Sequence, residues 1–193
     1  MHRVTRRAIP VLLCLCAMGS AGVRAQDPPV NQYGAAVKAF RDRLDEYLAL
    51  HRKAASTVPA LKETDDSGKL TAREQAIGEA IRQARPGAKP GDLFGTELTP
   101  RIRDVIKKDW ARRSAADKAG LAEDMPPGSV ADVNATYPPQ LPLATFPAAL
   151  LAALPPLPPD IEYRFVGRHL ILRDVKANII IDVLPNVLPG ART

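Results

Sequence analysis

The stretch from Glu63 to Glu74 sets oxygen-bearing side chains at the spacing of a Ca²⁺-binding loop. Glu63 would take the first position of such a loop, Asp65 the third, Ser67 the fifth, Lys69 the seventh, Thr71 the ninth and Glu74 the twelfth. Gly68 falls where the chain must turn sharply, and Leu70 where an aliphatic side chain helps pair backbones. Oxygen donors converging in this way suit a hard cation, and the last Glu can bind through both its oxygens. Two features run against it: the first position is Glu where the shorter Asp is usual, and Pro59 sits inside what should be the entering helix. The plainer reading is an acidic turn followed by a capped helix, which already accounts for Thr71 and Glu74.

Other residue types that could do chemistry are sparse. Three histidines are present, His2, His51 and His169, and neither His51 nor His169 has a second His or a Cys at metal-ligand spacing. No Gly-x-Ser-x-Gly turn, phosphate-binding glycine loop or dinucleotide fingerprint occurs. The sequence therefore offers no catalytic residues, and an enzyme would need a site of unfamiliar form. Arg101, Arg103, Lys107, Lys108, Arg112 and Arg113 form a basic cluster around Ile102, Val105, Ile106 and Trp110. On a helix over 101–113 that pattern suits an anionic membrane surface; it equally suits a solvated rim around a buried stripe.

The elements that must position these residues begin with a helix over about 31–58. Tyr33, Val37, Phe40, Leu44, Tyr47 and His51 recur every three or four residues, which is one helical face. Pro59 ends it. Fewer than four heptads favour packing within the domain over a dimerising coiled coil. A second helix is predicted from Thr71, where Thr71-Ala72-Arg73-Glu74 has the form of a capping box, to Arg85, with Ala76, Ile77, Ala80, Ile81 and Ala84 buried. A third is predicted from a cap at Thr99, with Pro100 in its first turn, towards Ala119. Ten prolines then fall between residues 125 and 159. This connector is expected to be extended and wrapped over the domain surface, with a docking site for a protein partner as the alternative. One short buried helix is predicted over 146–154, with Thr145 as its cap.

The C-terminal stretch alternates as β-structure does. Ile161, Tyr163 and Phe165 interleave with Glu162 and Arg164, a Gly167-Arg168 turn follows, and Leu170 and Leu172 continue the pattern. A third strand should place Ile179, Ile181 and Val183 on one face and Asp182 on the other. The residues Tyr163-Arg164-Phe165-Val166-Gly167, Leu170-Ile171-Leu172, Asp174 and Asn178-Ile179-Ile180 resemble the terminal hairpin of small exported bacterial proteins. These include the RcnB type, implicated in periplasmic nickel and cobalt homeostasis. The resemblance covers about 25 residues and implies a periplasmic accessory protein; it assigns no ligand or catalytic residue.

The first 25 residues have the three parts of a secretory signal in order: Arg3, Arg6 and Arg7, an apolar run from Ala8 to Met18, and Val23-Arg24-Ala25 at the cleavage position. Cys14 and Cys16 follow Leu13 and Leu15, where lipidation would want small residues. Cleavage after Ala25 would remove both cysteines and four arginines. The remaining chain has 23 Lys and Arg against 21 Asp and Glu, a net +2, so the basic pI gives no support to nucleic-acid binding. Without cysteine, an apolar core must hold it together. The sequence thus predicts an α+β protein: a signal peptide over 1–25, about three helices over 26–124, a Pro-rich connector with a short helix over 125–160, and a β-meander over 161–193 in one domain with the helices. The function expected is that of an exported, periplasmic or extracellular, non-enzymatic accessory or interaction protein. A Ca²⁺ binder through the 63–74 loop is the alternative.

Overall fold

A computed structural model of the protein describes residues 31–123, 131–137 and 146–188. Within them, five helices precede a three-stranded antiparallel sheet of order β1-β2-β3, an α+β architecture. The predicted signal peptide, Pro126-Pro127, Pro138-Pro139 and Thr145 lie outside the described residues.

Helix α1, Gln32–Ser56, opens with the Asn31 side chain accepting from the Gly34 N–H and buries Ala36, Phe40, Leu44, Tyr47, His51 and Ala54. The expected stripe holds from Phe40 onward, while Tyr33 at its N-terminal end is 43% exposed. Helix α2 spans Ser67–Ala84, and this corrects the predicted start at Thr71. The cap is Asp66, whose Oδ1 accepts the N–H groups of Gly68 and Lys69 at 3.0 and 3.2 Å. A carboxylate satisfies orphan amides at a helix N-terminus and also complements the helix dipole there. Ile77, Gly78 and Ile81 face the core, whereas Ala76 and Ala84 are exposed.

The predicted third helix is two helices. Helix α3 spans Gly95–Arg112 and begins four residues before Thr99, so Pro100 sits in its second turn. Backbone Arg113 is extended, and α4, Ala115–Glu123, starts afresh. Ser114 and Asp117 make that break: the Ser114 hydroxyl accepts from the Asp117 N–H, and the Asp117 carboxylate accepts from the Ser114 N–H. This is a reciprocal cap. Helix α5, Ala148–Ala153, lies in the region expected to be helical, but only Leu150 of its six residues is buried.

Strands β1 (Ile161–Val166) and β2 (His169–Asp174) pair through Val166 and His169, leaving Gly167 and Arg168 as a two-residue turn. Gly167 has φ +54°, as the first position of a type II′ turn demands. Strand β3, Ile179–Leu184, follows a turn in which Asn178 adopts φ +48°. The β2–β3 register shifts between Leu172, opposite Asp182, and Arg173, opposite Ile180. Ile181 is the extra residue of this bulge. An extra residue switches the faces of everything beyond it. The expected face assignment is therefore corrected: Ile179 and Ile181 face the helices, Val183 turns to the far face, and Asp182 turns towards the helices beside Leu172.

The main core lies between sheet and helices, where Tyr163, Leu170, Leu172, Ile179 and Ile181 meet Phe40, Leu44, Ile81, Phe94, Leu98 and Ile102. Gly78 permits this approach, because a Cβ there would stand 2.9 Å from Ile179 Cγ2 and 3.0 Å from the Ala177 carbonyl. The far face carries Val166, Ile171, Ile180 and Val183, covered by Tyr137 with Ala131 and Val133. Residues 134–137 run along β3, exchanging backbone bonds with Asn178 and Ile180, so this part of the connector closes a sheet edge.

Candidate functional site

Two carboxylates, Asp174 and Asp182, are completely buried on the helix-facing side of the sheet. Each reaches there for a local reason. Asp174 ends β2 opposite Ile161 and Ile179, both of which face the helices. Asp182 is carried there by the bulge.

Asp174 meets α1. Its Oδ2 accepts from the Tyr47 hydroxyl at 2.6 Å and from His51 Nδ1–H at 2.5 Å, while Oδ1 accepts the Ala177 N–H at 3.0 Å. Tyr47 and His51 stand one turn apart on one face, which is why a single carboxylate can take both. Burial pushes the Asp174 carboxyl up, but the bonds from His51 and Tyr47 outweigh it and hold it below the ordinary carboxylate range. Burial first, then the Asp174 charge, raises the Tyr47 phenol. Arg85 stands over the Tyr47 ring, 5.3 Å from its centroid, and donates to the Ile181 carbonyl.

Asp182 meets the loop before α3. It accepts the N–H groups of Gly91 at 2.6 Å and of Leu93 and Phe94 at 2.8 Å, besides that of Val183. Burial pushes its carboxyl up against these four bonds. The carbonyls of Leu93 and Phe94 are taken from the opposite side by the Arg43 guanidinium, which also pairs with Glu97 at 2.7 Å. Asp182 thereby holds the loop that leads into α3, a helix with no side-chain cap of its own.

A Tyr-Asp-His set could in principle move protons, but acid–base work needs a substrate within bonding reach. Asp174 is enclosed and His51 is 9% exposed. The arrangement fastens α1 to the β2–β3 turn and fastens α3 to β3. The open groove between α1 and α2, about 690 Å³, is lined by Ala49, Leu50, Lys53, Ala54, Thr57, Ala80, Gln83 and Ala84, with Lys53 its one titratable side chain.

Compared with family models, curated proteins and solved structures, the chain matches none of them.

The twelve residues with Ca²⁺-loop spacing do not form a loop here. Glu63 and Asp65 are exposed in the connector before α2, while Ser67, Lys69, Thr71 and Glu74 are part of the helix itself. Among the described residues, no three of His, Cys, Asp and Glu come together as a group able to hold a metal ion. His169 accepts the Asn186 N–H on a strand end, far in sequence from His51.

The basic cluster divides. Arg101 and Lys108 pair with Asp104 at 3.6 and 2.8 Å, and Arg113 pairs with Asp109 at 2.6 Å. Arg103 instead donates to the carbonyls of Pro185 and Asn186. Among the described residues no helix is long and apolar enough to cross a membrane.

The sequence reading missed the buried Asp pair. Tyr47 and His51 share one helical face in the sequence, but nothing local joins them to Asp174.

Proposed function

We propose that this is an exported, non-enzymatic accessory protein that holds a protein partner through an apolar face made by α5 and the start of α1. The observation that carries this reading is α5 itself. All six of its residues are Ala or Leu, yet Ala148, Ala149, Leu151, Ala152 and Ala153 are exposed, Leu151 by 55%. Exposed apolar surface of this kind is costly to keep in water, and on a soluble domain it marks a place of association.

Tyr33 extends the face. It lines, with Val37, Ala152, Ala153 and Leu154, a groove of about 590 Å³ between α1 and the end of α5, whose α1 wall also carries the charged Lys38, Arg41, Asp42 and Asp45. Arg101 lies over its ring, 5.5 Å from the centroid, and gives the patch a polar edge. An aromatic anchor beside a small-residue floor with a charged rim is the make-up of a protein-binding surface. The signal-like N-terminus and the resemblance of the terminal hairpin to the RcnB type support a periplasmic setting, and the internal use of both buried carboxylates supports a non-enzymatic role.

A photo-crosslinking residue placed at Leu151 tests the reading in cells that make the protein. Discrete adducts are expected from position 151 and not from Gln75, an exposed position on α2. Adducts from both positions alike, or from neither, would remove α5 as the interface.

A further inference from the structure

A second surface, at the opposite end of the α3 basic cluster's sorting, has the chemistry of an anion site. Arg103 and Lys107 of α3 line a groove of about 340 Å³ with Arg168 of the β1–β2 turn, and Asn186, Val187 and Leu188 complete it. Three cations thus meet, with no carboxylate among the described residues that line the groove. The neighbouring acid, Asp104, is bonded to Lys108 and paired with Arg101, and it feels Lys107 only through space.

The two guanidinium groups are held in place. Arg103 Nη1 and Nη2 donate to the carbonyls of Asn186 and Pro185 at 3.1 and 2.8 Å, and Arg168 Nε donates to that of Leu188 at 3.0 Å. The Val187 N–H returns a bond to the Arg168 carbonyl at 2.9 Å. Carbonyl partners fix the planes without neutralising the charge, and a guanidinium has five N–H groups, so donors remain for a ligand. Burial first, then the Arg168 charge, holds the neighbouring His169 imidazole below its ordinary range. Fixed planar donors beside an exposed ammonium suit the tetrahedral oxygens of phosphate better than a single carboxylate.

We propose that the groove between Arg103, Lys107 and Arg168 binds a phosphate group, either as a soluble phosphate or as the headgroup of an anionic phospholipid.

The test uses the intact chain with two probes: pyrophosphate, followed by calorimetry, and phosphatidylcholine vesicles containing phosphatidylglycerol, followed by co-sedimentation. Lys107→Glu is the diagnostic variant, since Lys107 is exposed and bonds to no described residue, so its unfolding midpoint should match that of the parent chain. Lys108→Glu, one residue on but paired with Asp104, is the control. Lys107→Glu should weaken binding about tenfold, Lys108→Glu far less, and added salt should weaken both. Pyrophosphate binding with this pattern assigns a soluble phosphate; vesicle binding alone with this pattern assigns the lipid headgroup. No binding of either probe, or equal loss in the two variants, overturns the site.

Discussion

At Asp174 a single oxygen, Oδ2, takes both the Tyr47 phenol and the His51 imidazole. A buried carboxylate with such partners is held ionised, whereas an Asn amide can keep its one oxygen towards Tyr47 and His51 only by turning its NH2 onto the Ala177 N–H, so a buried donor loses its acceptor. Asp174→Asn is therefore expected to destabilise the protein by about 2–4 kcal/mol at neutral pH. The pH dependence has a definite sign. The folded-state pKa of Asp174 lies below its unfolded value, so its contribution is complete above the unfolded value and is lost as pH falls through the folded one. Urea unfolding of both chains from pH 7 down to pH 2 should show the gap between them closing only below about pH 4. A gap that stays constant throughout would mean that the carboxylate charge contributes nothing.

At the scale of elements, helix α2 meets the β2–β3 turn through Gly78, and this contact gives an unusual sign. Replacing a helical glycine by alanine ordinarily stabilises by about 0.5–1 kcal/mol. At Gly78 the added carbon would press on the Ile179 side chain and on the Ala177 backbone carbonyl. The carbonyl cannot yield without moving the turn that also holds Ala177 N–H on Asp174. Gly78→Ala should lower the thermal midpoint, with a net cost of about 1–2 kcal/mol. Gly120, inside α4, has nothing within 4 Å of an added Cβ, so Gly120→Ala should raise the midpoint. Differential scanning calorimetry of the two variants checks the pair; a rise in both would show that α2 and the sheet are less tightly apposed than these distances require. The same scale explains α3: the loop leading into it is held by a carboxylate on β3, and its end is set by the Ser114–Asp117 cap of the next helix.

At the scale of the whole molecule, helices and sheet form one compact unit, Asn31–Thr193, so the connector between them joins parts of a single core. If the chain is exported as proposed, N-terminal sequencing of the protein recovered from the periplasm or medium should begin at Gln26; a chain retained in the cytoplasm with Met1 intact would remove the export reading. The sequence by itself determined what depends on local periodicity. The α1 face from Phe40 to His51, the Gly167-Arg168 turn and the alternation of β1 follow from side-chain spacing and from one glycine's freedom at positive φ. The start of α2 and the break before α4 rest on Asp66 and on Ser114-x-x-Asp117, local caps that helical periodicity alone did not mark. What only the tertiary structure decided involves partners remote in the chain. His51 and Asp174 are 123 positions apart, and Asp182 caps a loop 88 to 91 positions before it. Asp182 reached that loop through a bulge, and one inserted residue reverses the faces beyond it without any change in local composition. The grouping of Arg103 and Lys107 with Arg168 was likewise tertiary, because Arg168 comes from the β1–β2 turn, whereas Asp104 and Asp109 pair with cations three or four residues away along the chain.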